Sequence, residues 1–172
     1  MRNIFYIFLI FINFSFANAE QKIAYIDIDY IIKNSVVGKQ ISEHISNLKN
    51  SKIKEFKVIE KKFKDKEKKL IAKKNIISDD KFKSEINSLN KELKTYNDQR
   101  MKFSKNLEQK KINLTKQLLK TLNPIISEFV NQNQISLVLS KSNIIVGKKN
   151  LDITSSIIEN LNNKLKTINF NE

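Results

Sequence analysis

Apolar residues in the middle of the chain recur with a period of 3.5 residues. Steps of alternately four and three positions from Phe82 to Leu114 meet polar side chains only at Arg100 and Lys110. The apolar positions of the series are Phe82, Ile86, Leu89, Leu93, Tyr96, Phe103, Leu107 and Leu114. The pattern predicts a long helix that packs one narrow seam against another helix.

A second amphipathic segment precedes this helix and is less regular. Its apolar residues begin at Ile41 and change register near Ile53, as interrupted coiled coils do. The first register contains Ile41, Ile45 and Leu48, and the second contains Phe56, Ile59, Phe63, Leu70 and Ile77. A polar break at 75–80 follows, where Ser78 can cap a new helix and two aspartates suit its N-terminal end. We predict an antiparallel helical hairpin, with a single continuous rod as the alternative.

Short runs before this hairpin predict the elements of a second region. Residues 22–28 are rich in β-branched and aromatic side chains and predict a strand, with Asp27 near its end. Asp29 is the predicted cap of a short apolar turn. Gly38 lies in a break before the first long helix, at a position where a side chain is unfavourable.

The region after the hairpin returns to strands. Residues 135–139 predict a strand, 140–143 a turn, and 144–147 a third strand that closes a β-hairpin. Asn123 and Pro124 either cap a separate helix or kink a continuous one. Apolar spacing after Asp152 predicts a last helix, capped by Asp152 or Thr154.

These elements predict an α+β fold, mainly α, in which a long antiparallel helical hairpin is inserted in a small β-containing head. The coiled-coil arm comprises residues 41–122, and the head comprises 20–40 and 123–172. Short strands bury little apolar area, and unpaired strand edges favour pairing with another copy. We therefore predict an obligate homo-oligomer whose contacts are made by apolar residues of the head: Ile23, Tyr25, Ile26, Leu137, Leu139 and Ile145.

The N-terminus has the pattern of a secretory signal peptide at 1–19. Arg2 precedes an unbroken apolar run at 4–12, and small residues flank Asn18 before the predicted cleavage after Ala19. The apolar stretch is shorter than the ~18 to 20 residues of a membrane-spanning helix, which disfavours an anchor. The chain has no Cys, so a lipid-modified N-terminal cysteine and disulfides are excluded.

Positive charge is concentrated on the predicted arm. The whole chain carries a formal net charge of +14, and residues 49–116 contain 22 Lys and Arg against 10 Asp and Glu, a net charge of +12. A rod with this field attracts anions, and salt weakens that attraction. Lysine as a general solubilising residue is the alternative explanation.

The residues needed for catalysis are scarce. His44 is the only histidine, and we expect it to be a solvated helical residue rather than a base or a metal ligand. One His and no Cys exclude a zinc cluster, a thiol nucleophile and a Ser-His-Asp set. Two glycines cannot form a phosphate-binding loop, and Asp27 and Asp29 are assigned turn and cap roles rather than metal binding. We predict a protein that is not an enzyme and has no cofactor.

Several short segments resemble the Skp/OmpH-like periplasmic chaperones of Gram-negative bacteria. The resemblance lies in the export signal followed by residues 22–27, in 34–39 leading into a long basic coiled coil, in 135–139, and in 152–154 before the closing helix. It implies a homotrimer with three helical hairpins around a cavity. It also implies an ATP-independent holdase that binds unfolded outer-membrane proteins in the periplasm and passes them on for assembly.

The resemblance also suggests how clients bind. Unfolded outer-membrane proteins are often acidic, so exposed arm lysines are the predicted, diffuse client-binding residues: Lys61, Lys62, Lys64, Lys68, Lys69, Lys110 and Lys111. Anionic lipid or lipopolysaccharide is a further candidate partner. The alternatives are a nucleic-acid-binding protein, which export argues against in vivo, and a coiled-coil spacer of the cell envelope.

Overall fold

The computed structural model describes residues 21–170, and the predicted signal peptide lies outside the described residues. The regular elements in chain order are β1 (Lys22–Ile26), α1 (Ile28–Asn34), α2 (Val36–Lys73), α3 (Asp79–Gln132), β2 (Ile135–Ser140) and α4 (Thr154–Lys164). Two 3-10 turns, Lys141–Asn143 and Lys149–Leu151, lie between β2 and α4. This order confirms the predicted α+β, mainly α fold with a helical hairpin inserted between strands.

The two long helices form an antiparallel pair. α2 has 38 residues and α3 has 54, which corresponds to roughly 57 and 81 Å at about 1.5 Å per residue. The chain reverses at 74–78, and the Ser78 hydroxyl accepts a hydrogen bond from the Lys81 backbone N–H at 3.4 Å. The predicted hairpin and its cap are therefore confirmed, and the continuous rod is wrong.

Both helices are longer than the apolar pattern indicated. α2 begins at Val36 because the Ser35 hydroxyl accepts from the Gly38 N–H at 3.1 Å and caps the helix. A Cβ at Gly38 would lie 1.8 Å from the Ile32 carbonyl oxygen, so only glycine fits beside α1. α3 continues through Pro124, which removes one backbone hydrogen bond without ending the helix. A separate helix capped at Asn123 is therefore wrong.

Caps of the two short helices differ from the predictions. Asp27, rather than Asp29, caps α1, because its Oδ1 accepts from the Tyr30 N–H at 2.9 Å. At the start of α4, Ile153 occupies the N-cap position without a side-chain hydrogen bond. Asp152 lies one residue before the N-cap, and its Oδ1 accepts from the Thr154 N–H at 3.0 Å.

The sheet has two parallel strands rather than a hairpin. Ile23 is paired with Leu137, and Tyr25 with Leu139. The predicted third strand at 144–147 is wrong, because in the described chain that segment pairs with no strand. The outer edge of β1 is met instead by the segment before α4, where the Ile153 N–H donates to the Tyr25 carbonyl at 3.0 Å.

The apolar core lies at one end of the hairpin. Its fully buried apolar members come from all four helices: Ile31, Val37, Leu114, Leu118, Leu122, Ile157 and Leu161. Ile41 of α2 also belongs to it, so the core includes both ends of the stretch predicted as the arm. Below, "arm" means residues 48–110 and "head" means the other described residues; their division into domains stays a prediction.

A C-terminal segment, residues 165–170, lies across the base of the arm, and we call it the strap. The Lys166 carbonyl accepts from Gln40 Nε2 of α2 at 3.1 Å, and the Phe170 carbonyl accepts from Lys110 Nζ of α3 at 2.6 Å. The Phe170 ring stacks on His44 at 4.5 Å between centroids. The expectation of a solvated His44 is therefore wrong, because the strap covers it. The strap joins both long helices where the arm leaves the head.

Candidate functional site

Lysines cover the outer faces of the arm. Three ion pairs join arm side chains among the described residues: Lys52–Glu55 at 2.6 Å, Lys66–Glu92 at 2.5 Å and Arg100–Glu60 at 3.2 Å. Residues 49–116 contain 22 basic side chains, so few of them are neutralised by a close carboxylate. The arm therefore presents a surplus of positive charge to solvent.

The structure divides the predicted client-binding lysines into two groups. Five are exposed on neighbouring turns of α2 in the distal half of the arm: Lys61, Lys62, Lys64, Lys68 and Lys69. None of the five forms an ion pair in the described part of the chain. Lys110 and Lys111 lie at the arm base, where Lys111 is exposed and Lys110 is held by the strap.

An aromatic cluster locks the two helices together near the middle of the arm. The buried Tyr96 hydroxyl donates to Glu60 Oε1 at 2.6 Å, and Arg100 Nη1 donates to the same oxygen at 3.2 Å. The Tyr96 ring meets Phe56 and Phe63 edge-on at centroid distances of 5.6 and 5.5 Å. Burial, with the hydrogen bond to Glu60, raises the pKa of Tyr96 above its ordinary value.

An apolar groove opens between this cluster and the arm tip. Its volume is about 460 Å³. Its apolar wall is formed by side chains of both helices: Phe63, Leu70, Phe82, Ile86, Leu89 and Leu93. Lys64 and Glu67 lie at its rim, so the groove directly adjoins the distal lysines. We call it the distal groove.

The solvent-facing side of the sheet is apolar. Ile23, Leu137 and Leu139 lie on one face of the paired strands and are 45%, 48% and 40% exposed. A solvated sheet face normally carries polar side chains. Ile145 is fully exposed beyond β2. These four predicted oligomerisation residues therefore offer apolar surface for a contact.

The other two predicted oligomerisation residues are covered by the chain itself. Tyr25 and Ile26 are buried within the head of the same chain. A Cβ at Gly147 would lie 2.9 Å from Tyr25 Cε1, so residue 147 packs directly against the ring. Their predicted role in oligomerisation stays a prediction.

Charged residues join the carboxyl ends of the strands to α4. Lys141 Nζ lies 3.1 Å from Asp152 Oδ2 and 3.9 Å from Asp27 Oδ2. Burial acts to raise the pKa of Asp152, but hydrogen bonds from Thr154 and the contact with Lys141 outweigh it and lower that pKa. The hydrogen bond with Asp152 raises the pKa of Lys141. This cluster holds the turn after β2 in place.

Residues 21–170 contain no group of three or more His, Asp and Glu side chains arranged to hold a metal ion. Within the same range, no helix has the length and apolarity required to cross a bilayer.

The groove and the strap were missed by sequence reasoning. The signal for the groove was available, because Lys66 and Glu67 occupy the seam between Phe63 and Leu70, where an apolar residue is expected. The strap gives no such signal, since backbone carbonyls make its polar contacts.

The chain is similar to known proteins in sequence and in fold. The family described as outer membrane protein (OmpH-like) matches residues 22–161. No curated protein matches the chain. Among solved structures, a Caulobacter crescentus CB15 protein assigned as an outer membrane chaperone (OmpH-like) has a TM-score of 0.80 at 18% identity, over 88% of this chain and 89% of that chain. This likeness shows a shared fold. The matched family region ends at residue 161, before the strap.

Proposed function

Because this chain belongs to the OmpH-like outer membrane protein family, we propose that it is an ATP-independent chaperone of the periplasm. It binds unfolded outer-membrane proteins and keeps them soluble for delivery to outer-membrane assembly. The proposed role is one of binding rather than catalysis. The observation that carries it is the array of unneutralised lysines on a projecting helical hairpin.

Long-range attraction explains capture without a fixed client structure. An acidic unfolded chain is drawn to the basic arm at a distance, and many weak contacts then hold it without imposing one conformation. Since the charges are exposed to solvent, salt screens this attraction. Affinity for an acidic client should therefore fall steeply as ionic strength rises.

Light scattering from an aggregating outer-membrane protein tests the proposal. The purified mature protein should suppress the scattering, and reversal of Lys61, Lys62, Lys64, Lys68 and Lys69 to Glu should remove most of that effect at low salt. The matched control replaces the same five residues with Arg, which keeps their charge and should preserve suppression. No suppression by the unmodified protein would refute the chaperone role. Equal suppression by the Glu and Arg variants would refute electrostatic capture.

We further propose that the apolar sheet face mediates a homotrimer. A contact between copies would cover Ile23, Leu137 and Leu139, and would place Ile145 near a neighbouring chain. Sedimentation of Leu137→Asp and Leu139→Asp should show a smaller species than the unmodified protein. Ser136→Asp, on the same strand, is the control and should retain the trimer.

The positive charge of the arm also bears on other candidate partners. Anionic lipid or lipopolysaccharide remains a proposed additional ligand of the basic arm, and nucleic acid is not a proposed partner in the periplasm.

Fractionation of cells checks the proposed periplasmic location: the mature protein should appear with periplasmic markers, and recovery of the intact chain in the cytosol would contradict export.

A further inference from the structure

The distal groove exists because the seam of the arm has a gap. Phe63 and Leu70 of α2 lie seven residues apart, and the seam between them carries Lys66 and Glu67. Lys66 is held by Glu92 at 2.5 Å and lies outside the lining of the groove. The opposing leucines of α3, Leu89 and Leu93, are therefore only partly covered.

The groove is large enough for a specific occupant. Its volume of about 460 Å³ lies within the roughly 300 to 1,000 Å³ range of small-ligand sites. Tyr96 lies at one end and Phe82 lies towards the tip. Tyr96 is fixed by Glu60, so this end of the groove is preformed. An aromatic or large aliphatic side chain fits a pocket of this size and lining.

Charge around the rim selects the neighbours of that side chain. Lys64 lines the groove, and Lys68 follows one helical turn later on the same face of α2. The Glu60 carboxylate already accepts hydrogen bonds from Tyr96 and Arg100. Glu67 is the remaining acidic residue of the lining. Because Lys64 and Lys68 outnumber Glu67 around the groove, a ligand with carboxylates beside its apolar group is complementary to the rim.

We propose that the distal groove binds an aromatic or large aliphatic side chain of an extended, unfolded polypeptide whose neighbouring residues are acidic. In an extended chain, residues i and i+2 lie on one side about 7 Å apart. One apolar side chain enters the groove while flanking carboxylates reach Lys64 and Lys68. This inference rests on the proposed function, because it names the segment of a client that is anchored first.

A label on the groove wall tests occupancy directly. The chain has no Cys, so Asn90→Cys provides one site for a bimane fluorophore at the lining of the groove. The matched control is Asn106→Cys, exposed on α3 nearer the arm base. Tryptophan contact quenches bimane, so an Asp-rich peptide with one central Trp, which has Asp two positions away on each side, should quench the label at 90 and not at 106. The same peptide with Gln for Trp should not quench, and a Lys-for-Asp peptide should bind at least about tenfold more weakly.

Filling the groove separates apolar contact from charge. Glu67→Leu should weaken binding of the Asp-Trp peptide at least about tenfold, because a large apolar side chain loses its burial site. Charge attraction alone predicts tighter binding, since the substitution removes a carboxylate. Glu108→Leu makes the same chemical change at an exposed position outside the groove and should leave the affinity unchanged or slightly higher. Glu67→Met fills the same space and should repeat the loss.

The outcomes of these measurements are distinct from those of the chaperone assay. Unchanged or tighter peptide binding by both Glu67 variants, or equal quenching at positions 90 and 106, would overturn the groove proposal. If the unmodified protein still suppressed client aggregation in that case, the proposed function would stand. Groove-specific quenching without aggregation suppression would support the groove and refute the chaperone role.

Discussion

The head and the arm are built on the same two helices but are stabilised by different means. In the head, α3 buries Leu114, Leu118 and Leu122 completely among α1, α2 and α4. In the arm, the buried apolar residues are only Phe56, Leu70 and Tyr96. The head therefore has a core that closes on all sides, whereas the arm has one seam with a groove beside it. The difference shows how one chain can combine a stable base with a surface that remains open to ligands.

A leucine truncation in each region should give the largest effect and the clearest contrast. Leu118→Ala removes a fully buried head side chain and should lower the free energy of unfolding by about 2 to 5 kcal/mol. Leu107→Ala, at a partly exposed arm position, should cost clearly less because water can fill the space. Urea unfolding followed by circular dichroism, at one fixed protein concentration, measures both. Equal losses would contradict the contrast between the two regions.

The same contrast explains which features the sequence predicts. The seam from Phe82 to Leu114 is periodic within one helix, so its local pattern is sufficient to predict the helix. Strand pairing is not local, because Ile23 meets Leu137 across 114 positions of the chain. The apolar run containing Ile145 has strand-like composition, yet among the described residues it pairs with no strand, and Gly147 packs instead against the ring of Tyr25. Composition could not reveal that contact, because Tyr25 lies far away in the chain.

The candidate site, like the fold, was predictable only in part. The distal lysines could be located from charge alone, since exposed charges need no partner to define their positions. Lys66 and Glu67 mark an interruption of the seam in the sequence, but the size and lining of the distal groove depend on what faces Glu67 on α3, and the pattern of one helix does not contain that information. The strap depends on carbonyls near Lys110 and Gln40, so no side-chain pattern marks it.

Weakening the strap should loosen the connection between the arm and the head. Phe170→Ala deletes the ring stacked on His44 and should lower stability by about 1 to 2 kcal/mol, less than a full core truncation, because Phe170 is only partly buried. Hydrogen exchange should accelerate around His44 and Lys110 and remain unchanged at the tip. Thr167→Ala, at an exposed strap position, is the control. Unchanged exchange at the arm base would show that the strap does not brace it.

Within the arm, loss of one buried hydroxyl should have a smaller effect. Tyr96→Phe removes the hydrogen bond to Glu60 and should cost about 1 kcal/mol. Tyr30→Phe, at an exposed position, is the control. The readout is thermal unfolding of both variants beside the unmodified protein.

Alkaline pH provides a second test of the same residue. The folded-state pKa of Tyr96 is raised from 10.0, so the neutral phenol stabilises the fold below pH 10. That contribution should be lost as pH rises from about 10 through the folded-state value. Tyr96→Phe should not show this component of the alkaline loss. An identical pH dependence in both proteins would refute the assignment.

The smallest expected effect concerns the head and has the opposite sign with pH. The folded-state pKa of Asp152 lies below 3.8 because hydrogen bonds from Thr154 and the contact with Lys141 outweigh desolvation. The ionised carboxylate therefore stabilises the head above pH 3.8, and this contribution should be lost as pH falls through the lower folded-state value. Lys141 is half-exposed, so solvent screening limits the effect of Asp152→Asn to less than about 1 kcal/mol at neutral pH. Acid unfolding of Asp152→Asn beside Asp29→Asn, whose carboxylate has no ion pair among the described residues, should show a shallower pH dependence only for the first. Acid would then loosen the head through Asp152 and alkali would loosen the arm through Tyr96, because each region depends on a different protonation state of one polar contact.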